Sequence, residues 1–512
     1  MRLSSSTVPI VVLAATLVPA TLGRSTAAPA GDLVLKNVII HDGTGKRGFP
    51  GQVRIRGDRI VEVGKSLRTN AQDVVRDEHG LALAPGFIDM HSHADDLILQ
   101  DLDAENVIRQ GVTTVLVGQD GGSMYPLADF LSRLENARAA VNLASMAGHG
   151  TLRLHGMEPG NLLRASTPEE LAKMKQLLEL EMKAGAFGLS SGLEYDPGHF
   201  ATTEELIELS KIAAASGGFY ISHVRDEGNA VYDSFNEIIE IGKGGQLPVE
   251  ITHIKLATPS VWHSTAKVKA LFDEAQKRGV TLLADVYPYT YWESVARVIL
   301  LDRDYANPEK VGKALADNGG PDRIRFTNYP PDASIVGKTL SEVAASWQMK
   351  PVDAYIRILQ ETMPPKEETG IMGESMIDDD VRWFIAQPQI AFCSDGGLHD
   401  LHPRGAGTFP RILGHYVREE KVLPLEAAIY KMTGLPAERL GLRDRGRVAA
   451  GFVADLVLFD PATVIDGSKV GDSQAPPKGI PAVMVSGAWV VEDGKVTGAH
   501  PGRVLRHSGK VG

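Results

Sequence analysis

Apolar and polar residues alternate along both ends of the chain. Segments such as LVLKNVIIHDG and QVRIRGDRIVEVG, within residues 31–84, alternate in this way and stop at Gly and Asp. A period of two between turn residues predicts β-strands. The same pattern returns at 446–460 and 481–498. We therefore expect residues 31–84 and 436–512 to form one small β domain together.

Between these ends, the pattern alternates between strands and helices. Thr167, Pro168 and Glu170 give one helix an N-cap, a first-turn proline and a capping-box glutamate, and the strand AFGLSSG follows it. Thr202 and Glu205 predict a second capping box before the strand FYISH. The strands PVEITH and VTLLADVYPY come later. Repeated βα units predict an α/β fold with a parallel sheet, and their number over residues 85–435 favours a (β/α)8 TIM-type barrel.

The pattern leaves one alternative fold and one irregular stretch. An open, doubly wound sheet is the alternative to a barrel, but no glycine-rich dinucleotide loop follows a strand. The βα rhythm breaks near residues 292–347, which we interpret as an insertion in the barrel. The length of 512 residues fits one large domain with a smaller one attached.

The composition is that of an ordinary globular protein and narrows the set of partners. Hydrophobic residues make up 43% of the chain, and the formal net charge is -11. Lys and Arg do not form a stripe interleaved with aromatic residues, so we expect no nucleic-acid partner. Cys393 is the only cysteine, which excludes an internal disulfide.

The N-terminus has the layout of a secretory signal peptide. Arg2 is followed by the apolar stretch VPIVVLAATLV and then by small residues, which predicts a signal peptide over residues 1–30. The apolar stretch is too short for a stable membrane span. A disordered or membrane-tethering segment is the alternative. We expect a periplasmic or secreted protein that has no membrane association after the signal is removed.

Histidines and aspartates recur where the predicted barrel strands end. In GFIDMHSHADD, the side chains of Asp89, His91 and His93 share one face of a strand because successive side chains alternate. His223 ends FYISH, His253 ends PVEITH, and IAFCSD ends in an aspartate, Asp395. The carboxyl ends of barrel strands meet at the active-site mouth. A hydrogen-bonded structural pair is the alternative for any single histidine. Histidines with carboxylates suit Zn²⁺ or another transition metal, whereas Mg²⁺ and Ca²⁺ prefer oxygen.

Longer motifs carry a family resemblance. PGFIDMHSH and the late SDGG resemble the amidohydrolase superfamily of metal-dependent hydrolases. The closer resemblance is to D-aminoacylase and related N-acyl-D-amino-acid deacylases. It covers nearly the whole chain after the signal peptide and rests on the motifs QGVTTVLVG, GHGTLR, GAFGLSSGLEYDPG, ISHVRDEG, ITHIK, DVYPY and HPRGAGTFPRILGHYVRE.

The resemblance implies two metal positions. His91 and His93 would hold one ion with Asp395 nearby, and His223 and His253 would hold the other. The family pattern places a metal-binding cysteine between them, but this chain has Asp120 in GQDGG. A carboxylate can bridge two metals as a thiolate can, although a loop-stabilising aspartate is the alternative. We expect one or two Zn²⁺ ions, with Mn²⁺ or Co²⁺ also compatible.

The implied reaction is hydrolysis of the amide bond of N-acyl-D-amino acids or D-configured dipeptides. A metal lowers the pKa of bound water and makes hydroxide available for attack on the carbonyl. Asp395 is the expected catalytic residue, which takes the water proton and passes it to the departing nitrogen. Its alternative role is structural ligation alone. Another C–N bond, in a cyclic amide or an amidated natural product, is the alternative substrate, and a non-catalytic metal-binding homologue is the alternative class.

A substrate carboxylate needs a cation and hydroxyl donors inside the cavity. Lys255 lies two residues after His253 and points to the same side by strand period. By similarity to the deacylases, Lys255 and tyrosines would bind the carboxylate; a salt bridge or simple packing is the alternative. The expected partner is a small acylated amino acid or dipeptide, and a homo-oligomer is compatible with the sequence. The tyrosines are Tyr195 and either Tyr287 or Tyr289.

Three further assignments complete the expected site. Ser191 and Gly192 would line the acyl pocket, and His149 would lie close to the site at the end of the third strand. A charged group that follows His223 would orient this ligand through hydrogen bonds; it comprises Arg225, Asp226 and Glu227. Cys393 lies two residues before Asp395 inside a buried run and is expected in the core.

Overall fold

The computed structural model describes residues 31–364 and 366–509, and the expected signal peptide at 1–30 lies outside these residues. The strands in chain order are β1 (Leu33–Ile40), β2 (Phe49–Arg56), β3 (Arg59–Gly64), β4 (Val74–Asp77), β5 (Ala82–Pro85), β6 (Phe87–Asp89), β7 (Val112–Val117), β8 (Asn142–Ser145), β9 (Ala147–Gly148), β10 (Gly188–Gly192), β11 (Phe219–His223), β12 (Val249–Ile251), β13 (Leu282–Val286), β14 (Tyr291–Val295), β15 (Ile324–Asn328), β16 (Gly370–Glu374), β17 (Ile390–Phe392), β18 (Leu456–Phe459), β19 (Ala482–Val485), β20 (Ala488–Glu492) and β21 (Lys495–Val496).

Helices connect most of these strands. The α-helices are α1 (Glu105–Ile108), α2 (Leu127–Ala137), α3 (His149–Gly156), α4 (Pro168–Ala184), α5 (Thr203–Ala215), α6 (Val231–Gly245), α7 (Thr265–Lys277), α8 (Pro308–Asp317), α9 (Leu340–Ser346), α10 (Pro351–Thr362), α11 (Asp378–Ala386), α12 (Arg404–Arg411), α13 (Leu425–Met432) and α14 (Gly434–Leu440). Short 3₁₀ turns lie at Ala94–Asp96, Gly198–Phe200, Ala296–Ile299 and Ala333–Ile335, and a π-helix lies at Ile412–Glu419. No helix in the described ranges is long and apolar enough to cross a membrane.

Eight parallel strands form the expected barrel. Strands β6, β7 and β8 pair in one sheet, and β9, β10, β11, β12, β13 and β17 pair in another. β8 and β9 are two parts of the third barrel strand, separated at Met146. The barrel closes between its first and last strands, because Ser92 pairs in parallel with Gly396 and the Asp395 N–H donates to the His91 carbonyl at 2.8 Å. The (β/α)8 prediction is confirmed.

The barrel strands and helices form where the sequence pattern predicts them. Strand β7 (VTTVLV) is buried at every position, as expected for a parallel strand covered on both faces. The Thr167 capping box is present at the start of α4. At α5, the Thr202 side chain accepts from the Glu205 N–H, but the Glu205 carboxylate binds other side chains, so the second box is only half formed.

The two terminal segments share one sheet of nine strands. β1–β5 come from the N-terminal segment and β18–β21 from the C-terminal one. They join where β5 pairs antiparallel with β18. Leu35, Val53, Leu456 and Met484 pack in its core.

The insertion is a small unit of its own. β14, β16 and β15 form a three-stranded antiparallel sheet, and α8, α9 and α10 lie between these strands along the chain. Phe326, Leu340 and Tyr355 are fully buried in its core. Because β16 ends at Glu374, this unit extends beyond the expected limit at residue 347.

Candidate metal centre

The six side chains expected to bind metal lie together at the carboxyl ends of the barrel strands. Each follows a strand or is its last residue, so the closed parallel sheet brings distant parts of the chain to one edge. They fall into two groups of potential ligand atoms, and His223 also belongs to a third group with Glu194 and Glu227. The first group is His91, His93, Asp120 and Asp395, and the second is Asp120, His223 and His253.

The first group surrounds a common point with nitrogen and oxygen atoms. Nε2 of His91 lies 3.2 Å from Nε2 of His93 and 3.3 Å from Oδ1 of Asp395. Asp120 presents Oδ1 at 3.6 Å from His91 Nε2 and Oδ2 at 3.5 Å from His93 Nε2. In a tetrahedral zinc site with bonds of about 2.0–2.1 Å, neighbouring ligand atoms are about 3.3 Å apart. The spacing of the four side chains therefore fits one such ion.

The second group uses the same aspartate. Nε2 of His253 lies 3.6 Å from Oδ1 of Asp120 and 3.1 Å from Nδ1 of His223. Asp120 Oδ1 is buried and has no hydrogen-bond partner in the described chain. A buried acceptor without a donor is costly unless an ion or another donor binds it. Asp120 therefore lies where its carboxylate could contribute to both groups.

The charges of the first group favour a bound cation. Burial raises the pKa of Asp120, but the positive charge of His91 and the neighbouring His253 and His93 imidazoles outweigh it and hold that pKa well below its ordinary value. Burial lowers the pKa of His93, but hydrogen bonds to Asp120 and Asp395 outweigh it and raise that pKa well above its ordinary value. The two carboxylates thus favour positive charge at this point, which a divalent metal supplies.

Three of the six residues have a backbone conformation that L-residues rarely adopt. The φ angle is 53° at Asp120, 33° at His253 and 50° at Asp395. Left-handed backbone at a non-glycine residue costs about 1–3 kcal/mol and clusters at functional sites. Each of these residues follows the last residue of a strand, where the turn directs its side chain into the mouth of the barrel.

A glycine at the end of β10 allows the loop that carries Asp120 to lie against this strand. A Cβ atom at Gly192 would lie 2.2 Å from the carbonyl oxygen of Asp120, which is a clash. Gly192 therefore provides space for the ligand loop.

Asp395 is anchored on both sides of its carboxylate. Oδ1 faces the two histidines of the first group, and Oδ2 forms an ion pair with Nη1 of Arg404 at 2.5 Å. Burial raises the pKa of Asp395, but the charges of Arg404 and His253 outweigh it and keep that pKa well below its ordinary value. The carboxylate therefore favours its ionised form, which is the form that a proton acceptor needs.

Two glutamates hold the histidines of the second group. Oε2 of Glu194 lies 2.8 Å from Nε2 of His223. Oε1 of Glu227 lies 3.1 Å from Nδ1 of His253, so each histidine keeps its other nitrogen for the ligand cluster. Of the three charged residues expected to orient His223, only Glu227 contacts the ligand histidines. Arg225 pairs instead with Glu237, and Asp226 accepts backbone N–H groups at the start of α6.

The ligand cluster opens into a cavity of about 1290 Å³. Lys255 lines it, and its ammonium donates to Oε1 of Glu227 at 2.7 Å. Tyr195 also lines it, with its ring centroid 4.5 Å from that of His223. Tyr287 is buried, and its ring lies 5.6 Å from Nζ of Lys255 and 4.9 Å from the guanidinium of Arg404.

His149 does not reach the cavity, contrary to our expectation. It is the first residue of α3 and is fully buried, with Nε2 at 2.8 Å from Oε1 of Glu205. The third barrel strand is interrupted at Met146, so the alternation of side chains does not extend to residue 149. The histidine belongs to a structural ion cluster with Arg153 and Glu205.

Ser191 and Tyr289 also lie away from the cavity lining. Ser191 pairs with Ser222 across the sheet, one residue before His223, so its side chain is on the opposite face from that ligand. Its hydroxyl bonds to the hydroxyls of Tyr220 and Ser222. Strand β13 ends at Val286, so strand period does not apply to Tyr289, whose hydroxyl points to the Pro403 carbonyl.

Sequence reasoning missed Arg404 and Glu194, although both lie in motifs that it used. Arg404 begins α12 in HPRGAG, and no strand-end pattern marks it. Glu194 lies two residues after the last residue of β10, in GLEYDPG. The strand-end position was a usable signal for Glu194. Cys393 is fully buried, as predicted.

Comparison with known proteins gives consistent matches. The amidohydrolase family matches residues 74–320 and 342–491. A D-aminoacylase of Alcaligenes xylosoxydans xylosoxydans is 38% identical over 499 residues, covering 93% of this chain and 97% of that protein. A crystal structure of D-aminoacylase has a TM-score of 0.83 and 35% identity, covering 93% of this chain and 100% of the other. The structure of N-acyl-D-glutamate deacylase of Bordetella bronchiseptica has a TM-score of 0.83 and 31% identity, covering 93% of this chain and 99% of the other. It was solved with zinc and a phosphonate mimic of the tetrahedral intermediate.

Proposed function

This chain belongs to the amidohydrolase family, and from that premise we propose that it is a zinc-dependent hydrolase of N-acyl-D-amino acids. The reaction cleaves the amide bond and releases a carboxylic acid and a D-amino acid. D-configured dipeptides present the same bond and belong to the same substrate class. The similarity to a D-aminoacylase and to an N-acyl-D-glutamate deacylase over nearly their whole length supports this substrate class.

One observation carries the proposal: Asp120 is shared by two ligand groups beside the ion-paired Asp395, at the base of one cavity. His91, His93 and Asp395 would hold one zinc ion, and His223 and His253 would hold a second. When bound, zinc lowers the pKa of a water molecule and polarises the carbonyl of the scissile amide. The nitrogen and oxygen donors present suit zinc.

Asp395 carries the proton in this reaction. Its Oδ1 faces the ligand cluster, where it accepts the proton of the attacking water. Arg404 holds Oδ2, so the carboxylate keeps its orientation while Oδ1 gains and loses the proton. Asp395 then donates that proton to the departing nitrogen, which leaves as an amine.

The substrate carboxylate binds among the cations of the cavity wall. Lys255 and Arg404 both line the cavity, and the Tyr287 ring packs against the two. Nε of Arg404 is buried and has no hydrogen-bond partner within the described chain. Both cations are near the ligand cluster, since Lys255 contacts His253 and Arg404 contacts Asp395.

A hydrolysis screen tests the function. N-acyl-D-amino acids, their L-enantiomers and the corresponding dipeptides are incubated with chelator-stripped protein to which single metals are returned. We expect D-selective hydrolysis that zinc restores. Hydrolysis of cyclic amides in place of the acyclic ones would favour the alternative C–N bond, and full metal content with no turnover on any amide would overturn catalysis.

We further propose that the enzyme acts in the periplasm or outside the cell. Arg2 and the following apolar stretch support an exported chain, since they fit a signal peptide. Expression in a bacterial host, followed by fractionation and mass spectrometry of the mature N-terminus, tests this. Cleavage near residue 30 is expected, and an uncleaved chain in the cytoplasm would contradict the proposal.

A further inference from the structure

One carboxylate in the cavity has no role in the metal centre. Glu293 lies on β14 of the insertion and lines the same cavity as the ligand cluster. It belongs to neither ligand group. Its Oε2 atom is buried and has no hydrogen-bond partner, and the described residues place no Lys, Arg or His nitrogen within 4.0 Å of its carboxylate.

Most other acidic residues of the cavity wall have a partner within the protein. Asp302 pairs with Lys310 at 2.8 Å, and Glu227 pairs with Lys255 at 2.7 Å. Asp400 accepts the Gly397 N–H at 2.5 Å. Further pairs join Asp196 to Arg303, Asp317 to Lys313, Glu368 to Arg297 and Glu194 to His223.

Among the described residues that line the cavity, only Asp120 and Glu293 keep a buried carboxylate oxygen without a hydrogen-bond partner. The metal centre accounts for Asp120. An ionised carboxylate only accepts hydrogen bonds, and its strongest partners are cations. Glu293 lies beside the Thr327 hydroxyl, but its buried Oε2 still lacks a donor, so this oxygen is available to a partner from outside the chain.

The surroundings of Glu293 select a cation over a neutral donor. Acidic side chains outnumber Lys and Arg in the lining of this cavity. Burial and the charge of Asp400 raise the pKa of Glu293 to about 7. A carboxylate that is costly to ionise gains most from a positively charged partner.

Glu293 also shares its cavity with the residues that we propose to bind the substrate and transfer the proton. It lies close enough to Arg404 and Asp395 for their charges to influence its ionisation, and both of these residues line the cavity. Val298, Ile299 and Leu301 follow it in the chain and line the same cavity. Their apolar surface can cover the aliphatic stem of a long basic side chain.

We propose that Glu293 binds a cationic group of the substrate, an ammonium or a guanidinium, and so selects N-acyl-D-amino acids or dipeptides that carry a positive charge. This inference rests on the proposed function. The cation has two sources: the side chain of a basic D-residue, or the free α-ammonium of a dipeptide.

Matched substrate pairs test the proposal and separate these sources. N-acetyl-D-lysine against N-acetyl-D-norleucine differs by the side-chain ammonium, and glycyl-D-leucine against N-propionyl-D-leucine differs by the α-ammonium. With the zinc-loaded wild type, we expect kcat/KM for the charged member of one pair to exceed that of its neutral partner by roughly 10- to 100-fold, the size of one charge-assisted hydrogen bond.

The variant Glu293→Gln should abolish that preference and leave kcat/KM for the neutral substrates within about twofold. The control Asp302→Asn removes a charge from the same cavity whose carboxylate already has a partner, and it should retain the preference. The pair that loses its preference in Glu293→Gln identifies the source of the cation.

Two results would overturn the proposal: equal kcat/KM within both pairs, or an equal loss for charged and neutral substrates in Glu293→Gln. Titration calorimetry of N-acetyl-D-lysine and N-acetyl-D-norleucine on zinc-loaded Asp395→Asn protein, with and without Glu293→Gln, measures the same preference without turnover. If no N-acyl-D-amino acid is hydrolysed, the proposed function fails, while the calorimetry still decides the role of Glu293.

Discussion

Two clusters of histidine and carboxylate follow barrel strands in this protein, and they differ in whether the carboxylates are satisfied. In the cluster of His149, Arg153 and Glu205, both carboxylate oxygens of Glu205 accept hydrogen bonds: Oε1 from Arg153 at 2.6 Å, and Oε2 from Arg153 at 2.8 Å and Ser166 at 2.6 Å. In the metal centre, Oδ1 of Asp120 has no hydrogen-bond partner within the described chain. We call the first cluster closed because the protein satisfies its carboxylate, whereas the carboxylate of the second leaves room for an ion.

This difference distinguishes a structural histidine from a histidine that binds metal. Both clusters are buried and both contain ionised acids, so burial and charge do not separate them. The distinction is the supply of donors to the carboxylate: Arg153 donates to Glu205 in the closed cluster, whereas Oδ1 of Asp120 has no donor. The predictions below test whether each cluster serves catalysis or stability.

Asp395→Asn should give the largest effect, on catalysis. The amide cannot take a proton from water, so kcat should fall about 1000-fold, within the range of general acid–base catalysis. Steady-state kinetics on the zinc-loaded variant measures the loss, and elemental analysis measures the metal. Turnover close to the wild type would remove Asp395 from proton transfer, and loss of the metal would assign it a ligand role only.

Glu205→Gln, in the closed cluster, should lower stability and leave catalysis unchanged. Removing its charge leaves Arg153 buried without a counter-ion, and the free energy of unfolding should fall by about 3 kcal/mol. Urea unfolding measures this change, and the zinc content and kcat of the folded variant should match the wild type. A large loss of kcat with unchanged stability would place Glu205 in the active site.

The closed cluster should also make the metal-stripped protein sensitive to acid. Burial raises the pKa of Glu205, but hydrogen bonding and charge from His149 and the charge of Arg153 lower it from 4.5 to about 2. The folded state therefore binds this proton less readily, so the stabilisation is present above pH 4.5 and disappears as the pH falls towards 2. The expected loss is about 3 kcal/mol by linkage, measured by urea unfolding across this range. The same acid slope in Glu205→Gln would contradict the assignment.

The sequence predicted the metal centre better than the surroundings of the substrate, for a physical reason. Ligands such as His223 and His253 lie at or just after strand ends, and the closed parallel sheet alone determines that strand ends meet. Arg404 begins a helix and Glu293 belongs to the insertion, so their positions depend on packing that no short pattern encodes. His149 shows the limit of strand-end reasoning, because the interruption at Met146 moves it into a helix.

Lys255→Ala tests a residue with features of both clusters. Lys255 has a protein partner, as in the closed cluster, but it lies in the cavity. We expect kcat/KM for carboxylate-bearing substrates to fall about 30-fold, the equivalent of one charge-assisted hydrogen bond, and that of their neutral amides to fall much less. Kinetics on matched acid and amide substrates measures the split. An equal loss for both would mean that Lys255 serves only to hold Glu227.

Glu194→Gln should give the smallest effect and tests how the histidines of the metal centre are held in place. Glu194 orients His223 through the nitrogen that faces away from Asp120, and loss of such a partner weakens metal binding by roughly 10-fold. Competition with a chromophoric chelator measures the affinity at the second position. The control is Glu237→Gln, whose carboxylate binds Arg225 and no histidine, and it should leave the affinity unchanged. If both variants weaken zinc equally, the effect is general destabilisation. If neither does, the cluster keeps its geometry through the strands alone, and the carboxylate behind His223 has no part in metal binding.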